Sequence, residues 1–188
     1  MRSGLFRVFL TANMLVLVCA AVALGATTPG PESTPIPQAP KPDFSSMKFM
    51  LGTWHCINRS SRRPTSFTTT TVTTLDPTGY WMIVKSATPQ LSWSSPINST
   101  DSITYDPVFR RWADVYTDDQ GGYGVTYSPG WKDDTITWTD ALFTPGPAIV
   151  STSPTVTTKV SDSKTSSHST FQEKSGRSVT YDVVCTKG

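Results

Sequence analysis

Along most of the chain, apolar and polar residues alternate in short runs separated by Asp, Pro, Gly and Ser, as in half-buried strands joined by tight turns. Gly52 to Asn58 is the first run. Thr65 to Leu75 and Tyr80 to Ser86 flank Asp76-Pro77-Thr78-Gly79 as a hairpin. Ser102 to Asp106 passes through Asp106-Pro107-Val108-Phe109 into Arg111 to Thr117, and Asp118-Asp119-Gln120-Gly121 turns the chain into Gly122 to Ser128. Ser128-Pro129-Gly130 then leads to Thr135 to Asp140. After a Pro- and Gly-bearing loop, Thr155 to Ser161, Ser166 to Glu173 and Arg177 to Thr186 complete a meander. The count is about ten short strands, at the spacing of a sandwich or barrel. Only Ser45 to Leu51 reads as a helical turn. The abundance of Thr, Ser, Val, Tyr and Trp, with few Ala, Leu, Glu or Lys, favours the same all-β fold class.

Ahead of this region, Arg2 and Arg7 precede an uncharged, largely apolar run from Val8 to Leu24 that ends in small residues, with cleavage expected after Gly25 or Ala26. Residues 1–26 are therefore read as a signal peptide, against the alternatives of a retained anchor or a lipoprotein modified at Cys19. The expected location is secreted or periplasmic. Residues 27–43 form a Pro-rich linker, and 44–188 suit one domain on a prior of roughly 100–200 residues per domain. Removal of the signal deletes two arginines and no acidic residue, so 14 basic side chains face 14 acidic ones. A neutral domain lacks the field that attracts a phosphate backbone, which argues against nucleic acid as a partner. The membrane enters only through the signal peptide, and a monomer is expected.

The exported chain retains two cysteines, Cys56 in the first strand and Cys185 in the last. In an oxidising compartment such a pair is expected to form a disulfide rather than stay as buried thiols. Joining the terminal strands is how an up-and-down sheet closes and loses its edges, which favours an antiparallel barrel.

Phe49-Met50-Leu51-Gly52-Thr53-Trp54 resembles the Gly-x-Trp start of lipocalin-like (calycin) barrels, where the glycine admits close packing and the Trp plugs one end. Tyr105-Asp106-Pro107, Arg111-Trp112, Gly121-Gly122-Tyr123-Gly124 and Ser128-Pro129-Gly130-Trp131 resemble secreted bacterial domains of unknown function with that supposed fold. The resemblance implies a barrel with an interior and no established activity. Haem-binding nitrobindin-type barrels also begin with Gly-x-Trp but continue with further glycines, whereas His55, Cys56, Ile57 and Asn58 follow here. Haem is accordingly disfavoured and no cofactor is expected. His168 sits among Ser166, Ser167, Ser169 and Thr170 and reads as a polar surface residue, and His55 as outward-facing.

No metal cluster, nucleophile elbow or phosphate loop is apparent. Aromatic residues are the remaining signal. Trp54, Trp81, Trp112, Tyr116, Tyr123, Tyr127 and Trp138 lie on expected strands and are candidates to line a cavity for a small apolar or planar ligand. Asp114 shares a face with Trp112 and Tyr116. If that face is inward, its carboxyl is buried with a raised pKa; if Arg111, Ala113 and Val115 face inward, it is a solvated charge. Trp93 and Trp131, expected in loops, would instead suit stacking on sugars or a protein. The functional expectation is an exported small-molecule-binding barrel. The alternatives are an envelope or carbohydrate/protein-binding structural module, and, ranked last, a cavity-based isomerase or cyclase; enzymatic activity is not the expectation.

Overall fold

The structure, a computed structural model, describes residues 38–92, 94–143 and 149–188, without the side chains of Phe143 and Ile149. The expected signal peptide, the linker up to residue 37 and Trp93 lie outside the described residues. Residues 38–43, assigned to the linker from sequence, touch the domain: the Tyr80 hydroxyl donates to the Ala39 carbonyl at 2.9 Å.

A 3-10 helix, Ser45–Met50, precedes β1 (Gly52–Ser60), β2 (Arg63–Leu75), β3 (Met82–Thr88), β4 (Ile97–Asp106), β5 (Arg111–Asp118) and β6 (Tyr123–Ser128). These are followed by β7 (Trp131–Lys132), β8 (Thr135–Phe143), β9 (Ile149–Thr152), β10 (Thr155–Ser161), β11 (Lys164–Glu173) and β12 (Ser178–Lys187). All pairings between these strands are antiparallel, and ten strands close a barrel. The short β7 adds to β8, and β9 adds to β11.

Closure joins the chain's ends. β1 pairs β12 from Trp54 opposite Lys187 to Ser60 opposite Tyr181, and Cys56 lies directly across from Cys185. The two cysteines form a disulfide spanning 129 residues. The second seam joins β8 to β10, Trp138 opposite Thr155. Every barrel strand thus has two paired neighbours, although β8 pairs β10 only over Thr135 to Trp138 and β6 only over Thr139 to Phe143.

The sequence's turn aspartates shape the hairpins through their carboxylates, which mimic a backbone turn. Asp76 accepts from the Thr78 and Trp81 amides, Asp106 from Val108 and Phe109, and Asp118 from Gln120 and Gly122.

Packing is concentrated at one end. The 3-10 helix lies there and drives Met47, 0% exposed, and neighbouring Phe44 onto Met82, Ile103, Trp112 and Ile136. Phe44 and Tyr105 meet the Trp112 ring at 5.3 and 5.4 Å between centroids. Trp54 is also buried, and its indole N–H donates to the Met50 carbonyl at 2.7 Å, tying the helix to β1. Between them Gly52 has φ 109°, a conformation that disfavours any side chain. This end is a filled plug, and the space lies beyond it.

Candidate functional site

Which side chains enter the barrel follows from the pleat, because alternate residues point to opposite faces and directly paired residues share a face. Burial of Trp54, Cys56 and Asn58 fixes the parity of β1. Through the register, Thr69, Thr71 and Thr73 of β2 and Val84 and Ser86 of β3 also face inward. Small inward side chains leave a void, divided into two adjoining lobes of about 580 and 560 Å³. Both volumes are in the range of small-molecule sites, which run about 300–1,000 Å³.

The loop-end lobe combines an apolar floor with a hydroxyl-bearing wall. Phe67, Phe171, Val183 and the disulfide supply apolar surface. Thr71 and Ser86 hydroxyls hydrogen-bond at 3.0 Å, as do those of Thr69 and Thr88. Asn58 donates to Thr69 at 3.0 Å and accepts from the Tyr181 hydroxyl at 3.0 Å. Burial raises the Tyr181 pKa to about 12, so the phenol remains a donor at neutral pH. A hydroxyl carries one donor proton and two acceptor lone pairs, so these pairs retain capacity for a guest. Arg62 and Arg63 also line this lobe. Arg62 is anchored by Glu173 at 3.0 Å, and Glu173 also holds Arg177. Hydrogen bonding from Arg177 is the main influence keeping the Glu173 carboxyl below its usual range.

The helix-end lobe is different in character. Phe49, Trp131 and Trp138 provide aromatic surface, and Asp101 and Asp114 line the same space. Asp114 pairs with Ile103 across the β4–β5 ladder and Asp101 with Tyr116, so the two carboxyls are diagonal neighbours on the inner face. Burial raises Asp114 to about 6. It raises Asp101 well above the carboxylate range, with the charge of Asp114 adding to the effect. Both residues retain some accessible surface, and both face the cavity. Tyr116 borders both lobes and donates to Asp118 at 2.8 Å. Burial first, then that bond, raises its phenol pKa.

Of the residues singled out from sequence, Trp54, Tyr116, Asp114 and Trp138 line the interior. Trp112 also faces inward but belongs to the plug. Trp81, Tyr123 and Tyr127 must be moved to the outer face. Trp81 precedes the wholly buried Met82 and is 36% exposed; Tyr123 is 48% exposed. Tyr127 alternates with the inner-face Thr126 and lies 3.4 Å from the Arg111 guanidinium carbon, a cation–π contact of the outer surface. Trp131 is not in an exposed loop. It forms β7, packs edge-on to Phe49 at 5.3 Å and lines the helix-end lobe.

Sequence reasoning missed Asp101, Asn58 and Tyr181. The sequence pattern starts this strand at Ser102 and so excludes Asp101, whereas β4 begins at Ile97. Two-residue alternation back from Ile103 would have found it. Neither histidine is placed to ligate a group in the interior: His168 is 56% exposed and lies 2.7 Å from Asp182, and His55 is exposed. Among the described residues, no three His, Cys, Asp or Glu side chains converge as a metal site.

No family model matches the chain, and no curated protein matches it. Among solved structures it is similar to a de novo designed fluorescence-activating β-barrel, with 13% identity and a TM-score of 0.38, over 75% of this chain and 95% of the other. It is also similar to a protein of unknown function from the DUF3598 family of Nostoc punctiforme, with 12% identity and a TM-score of 0.39. That match covers 76% of this chain and 48% of the larger protein.

Proposed function

We propose that this chain is an exported, monomeric, calycin-type barrel of bacterial origin that carries a small, partly aromatic molecule in its interior. The observation that carries the reading is the two-lobed cavity behind a filled plug, with apolar surface and a few oriented polar groups on the same walls. This is the usual composition of a small-molecule site. We propose a ligand other than haem, since the His168 ring, at the border of the helix-end lobe, turns outward to Asp182 and His55 is exposed. Nucleic acid is not the proposed partner, as the exported chain has no net charge to attract it.

A second reading, acid–base catalysis such as isomerisation on a bound molecule, is favoured by one observation: Asp101, Asp114 and Tyr116 all border the cavity with raised pKa values. Native mass spectrometry of residues 27–188 purified after periplasmic expression tests both. Excess mass that disappears on denaturation supports the carrier. Chemical conversion of the extracted compound by fresh protein supports the enzyme. A bare protein that takes up no neutral hydrophobic dye refutes the cavity reading.

A further inference from the structure

The helix-end lobe has an unbalanced charge distribution. Asp101 and Asp114 face it together, yet neither has a hydrogen bond or ion pair with any described residue. Asp114 Oδ1 is screened from solvent and still lacks a donor, as does the Thr126 hydroxyl directly across the β5–β6 ladder. No Lys or Arg lines this lobe among the described residues. His168 borders it, but its ring turns outward to Asp182. Arg111 neighbours these residues in sequence, but its guanidinium lies over Phe109 and Tyr127 on the outside. An isolated buried carboxylate is costly without a counter-charge or hydrogen-bond donors, so the domain has built half of an ion pair.

We propose that the helix-end lobe binds a small organic cation, a protonated amine on an aromatic frame, with its nitrogen at Asp101 and Asp114 and its ring against Trp131 and Trp138. This rests on the reading of the barrel as a small-molecule carrier and specifies what one lobe accepts. The ammonium group supplies the donors that Asp114 lacks, and indole faces attract cations. The Trp131 indole N–H, also buried without an acceptor, selects an oxygen or other acceptor on the guest. On binding, the amine keeps its protons and the carboxyl pair releases any it holds to solvent. The outer loops need not change, because all four residues stand on barrel strands or on β7 beside them.

Three probes of nearly equal shape isolate the charge: tryptamine (cationic), tryptophol (neutral) and indole-3-acetate (anionic). Calorimetric titration of the folded protein at neutral pH is expected to rank them in that order, with tryptamine about tenfold or more tighter than tryptophol, equivalent to about 1.4 kcal/mol. In the D101N/D114N variant, which preserves side-chain shape, tryptamine should fall to the tryptophol level. Nile red, a neutral dye, reports the cavity itself and should bind both proteins equally. Equal binding of tryptamine and tryptophol to the wild type, or tryptamine affinity unchanged in the variant, overturns the cation assignment. Nile red uptake with no indole binding also overturns it and leaves the carrier reading standing; failure of Nile red and all three indoles removes both.

Discussion

Replacing Asp114 with Asn should stabilise the protein at neutral pH. Burial raises the folded-state pKa from the ordinary 3.8 to about 6. At about 1.4 kcal/mol per pK unit, the charged form is disfavoured by roughly 3 kcal/mol. The folded state holds the proton more tightly than the unfolded chain, so the wild type is not penalised below the unfolded pKa. It loses stability as pH rises from near 3.8 towards 6, and the loss is complete above that. Asn does not titrate and keeps the shape. Of the other groups at this lobe, Asp101 from β4 titrates in the same direction. Tyr116 from β5 and Tyr181 from β12 remain neutral, and His168 turns away. Urea unfolding at a series of pH values should find D114N and wild type close at about pH 4 and separated by roughly 2–3 kcal/mol at pH 7, in favour of the variant. The double variant D101N/D114N should widen the gap, because Asp101 carries a penalty of its own. A gap independent of pH, or one that favours the wild type as pH rises, would refute burial of Asp114 in the folded barrel.

Removing the disulfide with C56A/C185A should destabilise the fold by up to about 5 kcal/mol, the loop-closure entropy of a sequence separation of 129. Thermal unfolding should show the variant insensitive to reductant and the wild type sensitive; equal melting of the two would contradict the covalent seam. Met82→Ala empties a wholly buried position in the plug and should cost about 2–5 kcal/mol in urea titration, whereas a value near zero would mean that the plug is not packed as described. Thr71→Trp places an indole in the loop-end lobe and should abolish Nile red uptake there, while Trp81→Ala on the outer face should leave uptake unchanged. The reverse pattern would place the site on the surface.

The strand pattern and turn aspartates were legible because both act locally: each Asp fixes its own turn whatever the barrel does around it. The terminal seam was legible from Cys56 and Cys185, because a disulfide forces two distant strands together. Direction into or out of the barrel was much less legible. On β5 the alternatives are Trp112, Asp114 and Tyr116 against Arg111, Ala113 and Val115, and both sets contain apolar groups. Only packing decides between them, since Trp112 fits between Phe44 and Tyr105 in the plug. Trp81 and Tyr127 misled for the same reason. A large aromatic on a strand usually signals core, but here one precedes the buried Met82 and the other is covered by Arg111. β9 lay within a stretch read as loop, where a four-residue strand carries little alternation.

The threonines of β2 explain why the cavity itself was harder to read than the barrel. A strand filling a core alternates large apolar residues with polar ones, and that contrast announces the inner face. Thr69, Thr71 and Thr73 face inward while Thr68, Thr70 and Thr74 face outward, so the two faces have nearly the same polarity and the contrast is lost. The inner threonines do not fill the space that leucines would take, and the hydroxyls of Thr69 and Thr71 find partners in Asn58, Thr88 and Ser86. Weak amphipathicity in a chain with a strong closing seam is therefore what a hollow barrel requires: the covalent seam and the plug at the helix end supply stability that an interior left for a guest cannot.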